Sequence, residues 1–238
     1  MIKPKISFVM PTRNRDNLIG ESIESIIKQT VSDWELIVID DHSNPSDKTE
    51  KVIKSFSDER IKYFKLEDEN GKGISAARNY GNMMAESEYL AVADSDDICF
   101  PGRSEETLTA FKKEKCDIVY GEIQVWDPET GDIRDRSLKY KARDFDLEHF
   151  KKYDYIPHPT VAYKRQIALD FPYNSFFRRA EDYDFLARVA RYNYKFHFIN
   201  EPLVKYREHK KSVMHEKLVK FNYPEIVQQN RGWKLKEK

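Results

Sequence analysis

Residues 89–103 read YLAVADSDDICFPGR, an apolar run that stops abruptly at an acidic cluster. The run at 89–93 shows no alternation of polar and apolar residues, which is typical of a strand buried on both faces of a parallel sheet. The carboxylates Asp94, Asp96 and Asp97 follow directly at its end. Because ligands of parallel sheets bind beyond the carboxyl ends of the strands, this stretch predicts a buried strand that leads into a polar site.

Similar apolar segments recur on both sides of this stretch, separated by segments with helical periodicity. Ile19, Ile23 and Ile26 lie at helical spacing between the first two apolar segments. This alternation predicts an α/β fold in which a mostly parallel, Rossmann-like central sheet is flanked by helices on both faces. The predicted strands cover residues 6–10, 34–39, 61–65, 89–93 and 117–126, and the later helices cover residues 47–56, 73–86 and 103–114.

The rhythm changes after about residue 126, where a turn leads into a polar and irregular stretch. The later pattern predicts a helix over about 179–192 and strands at 160–163, 195–199 and 203–206. No internal repeat or clear linker divides the chain. We therefore interpret residues 1–214 as a single domain with halves at about 1–126 and 127–214, followed by an extension at 215–238.

The composition argues against several classes of protein. Lys plus Arg and Asp plus Glu each number 41 among 238 residues, so the chain has zero formal net charge and lacks the basic excess of a nucleic-acid binder. No apolar run approaches the roughly 18 residues needed to span a bilayer, and the amino terminus lacks the features of a signal peptide. With only Cys99 and Cys116, a reducing, cytoplasmic setting is the simplest expectation.

The segment 215–238 has a composition of its own. It carries six Lys or Arg and three Asp or Glu, a net charge of +3, together with Phe221, Tyr223 and Trp233. Basic and aromatic residues in combination are typical of a peripheral contact with a membrane, which here would be its inner face. A solvated extension or an arm that forms a homodimer agrees equally well with this composition, so the three interpretations stay open.

The acidic cluster after residue 93 has two interpretations. Neighbouring carboxylates repel one another unless a cation or a hydrogen-bonding ligand relieves them, and Mg²⁺ or Mn²⁺ prefers such oxygen ligands together with substrate phosphates. A solvated turn that caps a helix would use the same residues. A calcium loop of the EF-hand type is excluded, because Cys99 stands at the sixth position, where that loop requires glycine.

Three further clusters are candidates for chemistry. Asp41 follows the second predicted strand, where an acid often holds ribose hydroxyls, but the loop after the first strand lacks the G-x-G-x-x-G of dinucleotide-binding folds. Asp182 stands at the start of a predicted helix, where it is either a general base or an ordinary capping acid. His209 lies in the cluster at 206–209, without the H-E-x-x-H spacing of a zinc site.

In their order and spacing these clusters resemble the inverting glycosyltransferase family 2, which has the GT-A fold. The resemblance extends over about residues 6–213 and is weak across 127–178. The matching segments are ISFVMPTRNR (6–15), IIKQT (26–30), DWELIVIDDHSNPS (33–46), GISAARNYG (73–81), YLAVADSDDICFPGR (89–103), RAEDYDFLARVAR (179–191) and YREHKKSV (206–213).

The resemblance implies how the donor would be held. Arg78 would support the nucleotide pocket or the diphosphate. The pocket for the base and ribose would be formed by Pro11, Thr12, Arg13 and Asp41, with Asp41 on the base side.

The resemblance also implies how the chemistry would be divided. Asp94 and Asp96 would face the ribose or the sugar. Asp97, either alone or together with Asp96, would hold Mn²⁺ or Mg²⁺, with His209 as a further ligand on a closing loop. Asp182 would be the catalytic base.

The function implied by the resemblance is transfer of a sugar from a nucleoside diphosphate sugar, with UDP as the expected nucleotide, to an acceptor hydroxyl. The acceptor would be a saccharide, lipid-linked or other hydroxyl compound met by the half at 127–214, in the synthesis of polysaccharide, lipopolysaccharide or another glycoconjugate. Two alternatives are a sugar nucleotidyltransferase, which would need a Gly-rich loop after the first strand, and an inactive nucleotide- or carbohydrate-binding module.

Overall fold

Nine strands form one continuous sheet in the computed structural model, which describes residues 3–67, 71–134, 141–177 and 179–208. The strands are β1 (Ile6–Thr12), β2 (Trp34–Asp40), β3 (Ile61–Lys65), β4 (Tyr89–Val92), β5 (Ile98–Cys99), β6 (Ile118–Trp126), β7 (Ile133–Arg134), β8 (Ala162–Lys164) and β9 (Phe196–Arg207). The helices are α1 (Ile19–Ile27), α2 (Thr49–Lys54), α3 (Ile74–Met84), α4 (Arg103–Glu114), α5 (Leu147–Phe150), α6 (Arg165–Asp170) and α7 (Glu181–Ala190), with a 3-10 turn at His158–Thr160. No helix within the described ranges has the length and apolar character needed to cross a membrane.

The sheet has the order β3-β2-β1-β4-β8-β6-β9-β5, and β7 pairs with β6 at the side of this path. Strands β3, β2, β1 and β4 are parallel neighbours, and β6 and β9 run in the same direction as they do. The shorter strands β5, β7 and β8 run against them. This architecture confirms the predicted α/β class with a mostly parallel sheet.

Both faces of the sheet are covered, as the unbroken apolar strands predict. In β2, Leu36 and Val38 belong to one buried cluster, and Ile37 and Ile39 belong to another on the opposite face. Successive side chains of a strand point to opposite faces, so a run of apolar residues is stable only when helices cover both sides. Every residue of β1 and β2 is buried.

The second half of the chain joins the same sheet in a way that the sequence did not predict. The short strand β8 inserts between β4 and β6 and is antiparallel to both. It begins at Ala162 rather than at the predicted residue 160, because Thr160 closes the preceding 3-10 turn with its hydroxyl donating to the carbonyl of Pro157 at 2.7 Å. The short elements α5, α6, β5 and β7 were also not predicted, since each is too brief to show a periodic pattern.

The prediction of two strands at 195–199 and 203–206 is wrong, because β9 is one strand of 12 residues. Its pairing with β6 shifts between Gly121, which is opposite Ile199, and Glu122, which is opposite Pro202. This irregularity takes up the extra residues and accommodates Pro202, which has no N–H to donate. Gly121 is required there, because an added Cβ would lie 2.6 Å from Cγ of Leu203.

The register of the sheet determines where the polar clusters meet. Thr12 at the end of β1 pairs with Asp40 at the end of β2, and Val9 in β1 pairs with Val92 at the end of β4. The residues that follow these three strands therefore lie at one edge of the sheet. This edge is the position that the sequence predicts for a ligand site.

Candidate active site

The acidic turn after β4 is the centre of the site. Asp97 is only 4% exposed, and its Oδ1 accepts a hydrogen bond from the backbone N–H of Arg207 at 2.9 Å. Its Oδ2 is buried and has no hydrogen-bond partner among the described residues. Burial raises the pKa of Asp97 well above its ordinary value, and the charges of Asp94 and Asp96 raise it further, although Arg207 opposes them. An unpaired buried oxygen of this kind is costly unless a ligand or a cation completes it.

Asp96 and Asp94 face different partners at this turn. Oδ2 of Asp96 lies 3.5 Å from Nε of Arg15, in the loop after β1. Oδ1 of Asp94 accepts from Nη2 of Arg78 at 3.1 Å. Burial raises the pKa of Asp94, the Arg78 charge lowers it, and the charges of Asp96 and Asp182 raise it again.

Arg78 in α3 links the two halves of the chain. It is 4% exposed, and its Nη1 donates to Oε1 of Glu181, at the start of α7, at 2.7 Å, while its Nη2 holds Asp94. Its guanidinium also lies 5.4 Å from the centre of the Tyr173 ring. Burial lowers the pKa of Arg78, but the charges of Asp94 and Glu181 raise it by more. The net effect is a raised pKa, so Arg78 remains cationic. The guanidinium therefore bridges two carboxylates that are 87 residues apart in sequence (181 − 94).

Asp182 lies one residue further along α7. The helix begins after Ala180, which has φ 58°, so Asp182 is inside the first turn rather than at the N-cap position. Its Oδ1 accepts from the backbone N–H of Tyr183 at 2.7 Å. A carboxylate in the first turn of a helix is stabilised in its charged form by the helix dipole. The neighbouring Glu181 is already engaged by Arg78, which leaves Asp182 as the half-exposed acid of this pair.

Asp41 organises the loop that precedes α3. Its Oδ1 accepts from the backbone N–H of Lys72 at 2.6 Å, and its Oδ2 accepts from that of Gly73 at 2.9 Å. Nη1 of Arg13 lies 3.9 Å from the same Oδ2. Asp41, Arg13 and this loop therefore form one wall at the ends of β1 and β2.

The loop after β1 forms the adjoining wall. Pro11 and Thr12 are buried in the last two positions of β1, and Oγ1 of Thr12 has no partner among the described residues. The backbone N–H of Asn14 donates to Oγ of Ser43 at 2.9 Å, and Asn14 itself has φ 53°. The four residues predicted for the base and ribose pocket, Pro11, Thr12, Arg13 and Asp41, are thus brought together by neighbouring strands.

A buried polar chain lies behind Arg78. Nε2 of His158 and the hydroxyl of Tyr173 are 2.9 Å apart, and that hydroxyl is 3.3 Å from the hydroxyl of Tyr163. Burial lowers the pKa of His158 well below its ordinary value, and the charges of Arg78 and Arg103 lower it further, so the imidazole stays neutral. His158 is therefore a packing residue that supports Tyr173.

A metal site was predicted at Asp96, Asp97 and His209. His209 lies outside the described residues. Within the described ranges no group of three or more His, Cys, Asp or Glu residues could hold a metal ion. The unpaired Oδ2 of Asp97 beside the carboxylate of Asp96 nevertheless suits Mg²⁺ or Mn²⁺, because these ions commonly take one or two protein carboxylates and complete their coordination with phosphates and water.

The sequence did not single out every residue that shapes this site. The sequence patterns assign no role to Arg15, Tyr173 or Arg207, although Arg15 and Arg207 both stand in segments that match the family pattern. For Arg15 and Arg207, the only indication of a role in the sequence is therefore their position within a motif. Their function depends on contacts with residues far away in the chain, which the motif does not reveal.

The sheet order, the acidic turn after β4 and the carboxylates at the start of α7 agree with a glycosyltransferase of the GT-A fold. The family model for glycosyl transferase family 2 matches residues 7–183, and the chain belongs to this family. The predicted family is therefore confirmed.

Relatives span different shares of the chain. An uncharacterised glycosyltransferase of Methanocaldococcus jannaschii is 34% identical over 212 residues, covering 87% of this chain and 72% of the relative. The UDP-Glc:α-D-GlcNAc-diphosphoundecaprenol β-1,3-glucosyltransferase of Escherichia coli is 38% identical over 120 residues, covering 50% of this chain and 46% of the relative. The structure of Staphylococcus aureus TarS 1–349 in complex with UDP-GlcNAc matches with a TM-score of 0.75 at 20% identity, covering 90% of this chain and 62% of that one. The chain thus spans less than two thirds of the last two proteins.

Proposed function

We propose that this glycosyltransferase moves a sugar from a UDP-sugar to an acceptor hydroxyl with inversion at the anomeric carbon. The observation that carries the proposal is the bridge from Asp94 through Arg78 to Glu181, which holds the start of α7 against the acidic turn. This bridge would hold Asp182, the residue after Glu181, near the site formed by the first half. A donor site with a base opposite it is what a single displacement requires.

The donor would bind across the ends of β1, β2 and β4. Pro11, Thr12, Arg13 and Asp41 would hold the base and ribose, and Asp94 and Asp96 would face the ribose or the sugar. Support for UDP comes from the names of the similar proteins, since the E. coli relative is named for UDP-Glc and the TarS structure contains UDP-GlcNAc.

Arg78 would act on the donor through Asp94 rather than by direct contact with the diphosphate. Both of its terminal nitrogens are engaged by carboxylates and the side chain is buried. Of the two roles that the family resemblance implies for Arg78, support of the nucleotide pocket and support of the diphosphate, this proposal keeps the first.

Asp97 and Asp96, with His209 as a further candidate, would hold Mg²⁺ or Mn²⁺. When bound, such an ion offsets the negative charge that gathers on a diphosphate leaving group. The carboxylates of this chain would fix the ion beside the donor, and their mutual repulsion would be relieved by it.

Asp182 would be the general base. As the acceptor oxygen bonds to the anomeric carbon, its proton passes to the Asp182 carboxylate. The bond from that carbon to the phosphate oxygen breaks, and the electron pair leaves with UDP. One displacement of this kind inverts the anomeric configuration and needs no covalent intermediate.

The acceptor would be a saccharide or a lipid-linked compound that presents a hydroxyl group. The E. coli relative is named for a diphosphoundecaprenol-linked acceptor, which supports a role in the synthesis of a polysaccharide or another glycoconjugate. Cys99 and Cys116 are both free, in keeping with activity in the reducing cytoplasm. The membrane or dimer contact predicted for 215–238 lies outside the described residues.

The test is Asp182→Asn, assayed with a panel of UDP-sugars and saccharide acceptors. The amide keeps the size of the side chain but cannot accept the proton, and one general base contributes on the order of a hundred- to ten-thousandfold in rate. We expect sugar transfer to fall by that factor, while UDP affinity and melting temperature stay near wild type. The matched control is Glu105→Gln, an exposed acid in the first turn of α4, which should change none of the three. Retained transfer in Asp182→Asn would remove Asp182 from the mechanism, and absence of transfer by the wild-type chain with every donor would favour a binding module.

A further inference from the structure

Arg207, the last residue of β9, contacts the acidic turn, although the two are more than 100 residues apart in the sequence. It is 5% exposed and donates hydrogen bonds to the acidic turn and to α1. Its backbone N–H donates to Oδ1 of Asp97 at 2.9 Å, and its Nε donates to the backbone carbonyl of Asp96 at 2.8 Å. Its Nη2 donates to Oε2 of Glu21, in α1, at 2.6 Å.

The guanidinium of Arg207 is itself held in place. It lies 4.7 Å from the centre of the Trp126 ring, which belongs to the neighbouring strand β6. The contacts with Glu21 and Trp126 therefore fix the plane of the guanidinium. Because Nε lies in that plane, its hydrogen bond also restrains the backbone carbonyl of Asp96. Buried planar guanidinium groups suit this task because their donors point in fixed directions.

The consequence is that one residue restrains a main-chain atom of Asp96 and a side-chain atom of Asp97. The main chain of Arg207 takes Oδ1 of Asp97, and its side chain takes the carbonyl of Asp96. Oδ2 of Asp97 is left without a partner among the described residues.

We infer that Arg207 is a positioning residue that sets the carboxylate of Asp97 for the divalent ion of the donor complex. The inference rests on the proposed function, because it concerns the same ion. Arg207 would act through Asp96 and Asp97, with which it makes hydrogen bonds at the acidic turn. Partners that orient metal-binding side chains typically change metal affinity by 10–100-fold when they are removed.

Arg207→Lys is the variant that separates positioning from charge. Lysine keeps the positive charge and the backbone N–H to Asp97, but its ammonium cannot reproduce the planar pair of bonds to Asp96 and Glu21. Lys205→Ala is the matched control, because Lys205 lies on the same strand with its Nζ 4.0 Å from the centre of the same Trp126 ring. Among the described contacts it has none with the side chains of the acidic turn.

The measurement is Mn²⁺ affinity by electron paramagnetic resonance, in the presence and absence of UDP, together with UDP affinity in EDTA. We expect Arg207→Lys to weaken Mn²⁺ binding about tenfold or more, with UDP affinity in EDTA unchanged and Lys205→Ala like wild type. Glu21→Gln, whose side chain is 57% exposed and whose loss should not threaten folding, is expected to weaken Mn²⁺ binding in the same direction but less. If Arg207→Lys does not fold, the Mn²⁺ affinity of Glu21→Gln decides the question.

The outcomes distinguish this inference from the proposed function. Wild-type Mn²⁺ affinity in folded Arg207→Lys, or in Glu21→Gln when the first variant does not fold, would overturn the inference alone. An equal loss in Lys205→Ala would also overturn it, because the effect would then belong to packing on Trp126. A wild-type chain that binds UDP with no dependence on Mn²⁺ would overturn the metal part of the proposed function, and this inference with it.

Discussion

At the scale of single residues, the acidic turn concentrates negative charge in a place where water cannot relieve it. Asp94, Asp97 and Glu181 all have a raised pKa, in each case chiefly because burial disfavours the charged form. Arg78 compensates two of them directly, whereas Oδ2 of Asp97 has no partner among the described residues. The site is therefore held in a state that a bound cation would stabilise.

This electrostatic imbalance predicts that Asp97→Asn stabilises the ligand-free chain. A carboxyl group whose pKa is raised in the folded state contributes stability below its ordinary pKa and loses that contribution as the pH rises through the raised value. Asparagine removes the ionisation and keeps an oxygen for the N–H of Arg207. At neutral pH in EDTA we expect a gain of a few degrees in melting temperature, since each kcal/mol corresponds to about 2–4 °C at this chain length.

The pH dependence checks the cause of that gain. The difference between Asp97→Asn and wild type should shrink as the pH is lowered through the raised pKa, because wild-type Asp97 is then protonated as well. With UDP and Mn²⁺ present the order should reverse, because only the wild type keeps the proposed ligand. A variant that is less stable than wild type in EDTA at neutral pH would contradict this account of Asp97.

At the scale of elements, the start of α3 depends on a side chain from the end of β2. Asp41 accepts from the N–H groups of Lys72 and Gly73, immediately before α3 begins at Ile74. Gly71 has φ +73°, and an added Cβ would collide with Nη1 of Arg13 and lie 2.9 Å from Oδ2 of Asp41. The loop therefore packs tightly against the proposed base pocket.

We predict that Gly71→Ala weakens UDP binding in EDTA far more than Gly73→Ala does. Both glycines have positive φ, so alanine at either position should destabilise the fold by about 1 kcal/mol or more. Only at Gly71 does the new methyl group also displace Arg13 and Asp41, because nothing lies within 4 Å of a Cβ at Gly73. We expect at least a tenfold difference in affinity by calorimetry, roughly 1.4 kcal/mol. Equal affinities in the two variants would place the base pocket away from Arg13 and Asp41.

At the scale of the whole molecule, the two halves of the chain share one sheet and both of its cores. The partners of β6 are β7, β8 and β9, all of which follow it in the sequence. The buried cluster that contains Ile37 and Val92 is completed by Tyr155 and Phe185 from the second half. A boundary at about residue 126 therefore separates two functional regions without separating two cores.

This shared sheet predicts that residues 1–126 do not fold alone, whereas residues 1–214 do. The shorter fragment would leave β6 without its neighbours and expose one apolar face of β2 and β4. We expect no cooperative thermal unfolding by circular dichroism for the 1–126 fragment and a single transition for the 1–214 fragment. A cooperative transition in the shorter fragment would mean that the first half is a domain in its own right.

The sequence by itself determined the order and type of the main elements and the edge of the sheet where the site lies. The strand at 61–65 and the helix at 103–114 were predicted with the bounds that the structure has. Apolar periodicity and the polar residues that end each strand are local properties, so they can be read within a few residues. The same local patterns predicted that Thr12, Asp41 and Asp94 lie at one edge of the sheet, because the carboxyl ends of parallel strands meet there.

Only the tertiary structure decided how these residues are paired. Arg78 meets Glu181 across 103 residues, and Arg207 meets Asp97 across 110. Which carboxylate is buried, which is compensated and which keeps an unpaired oxygen follows from those contacts. The antiparallel insertion of β8 between β4 and β6 is of the same kind. Such pairings depend on the path of the whole chain and on the burial it produces, and neither property is encoded in the residues next to each partner.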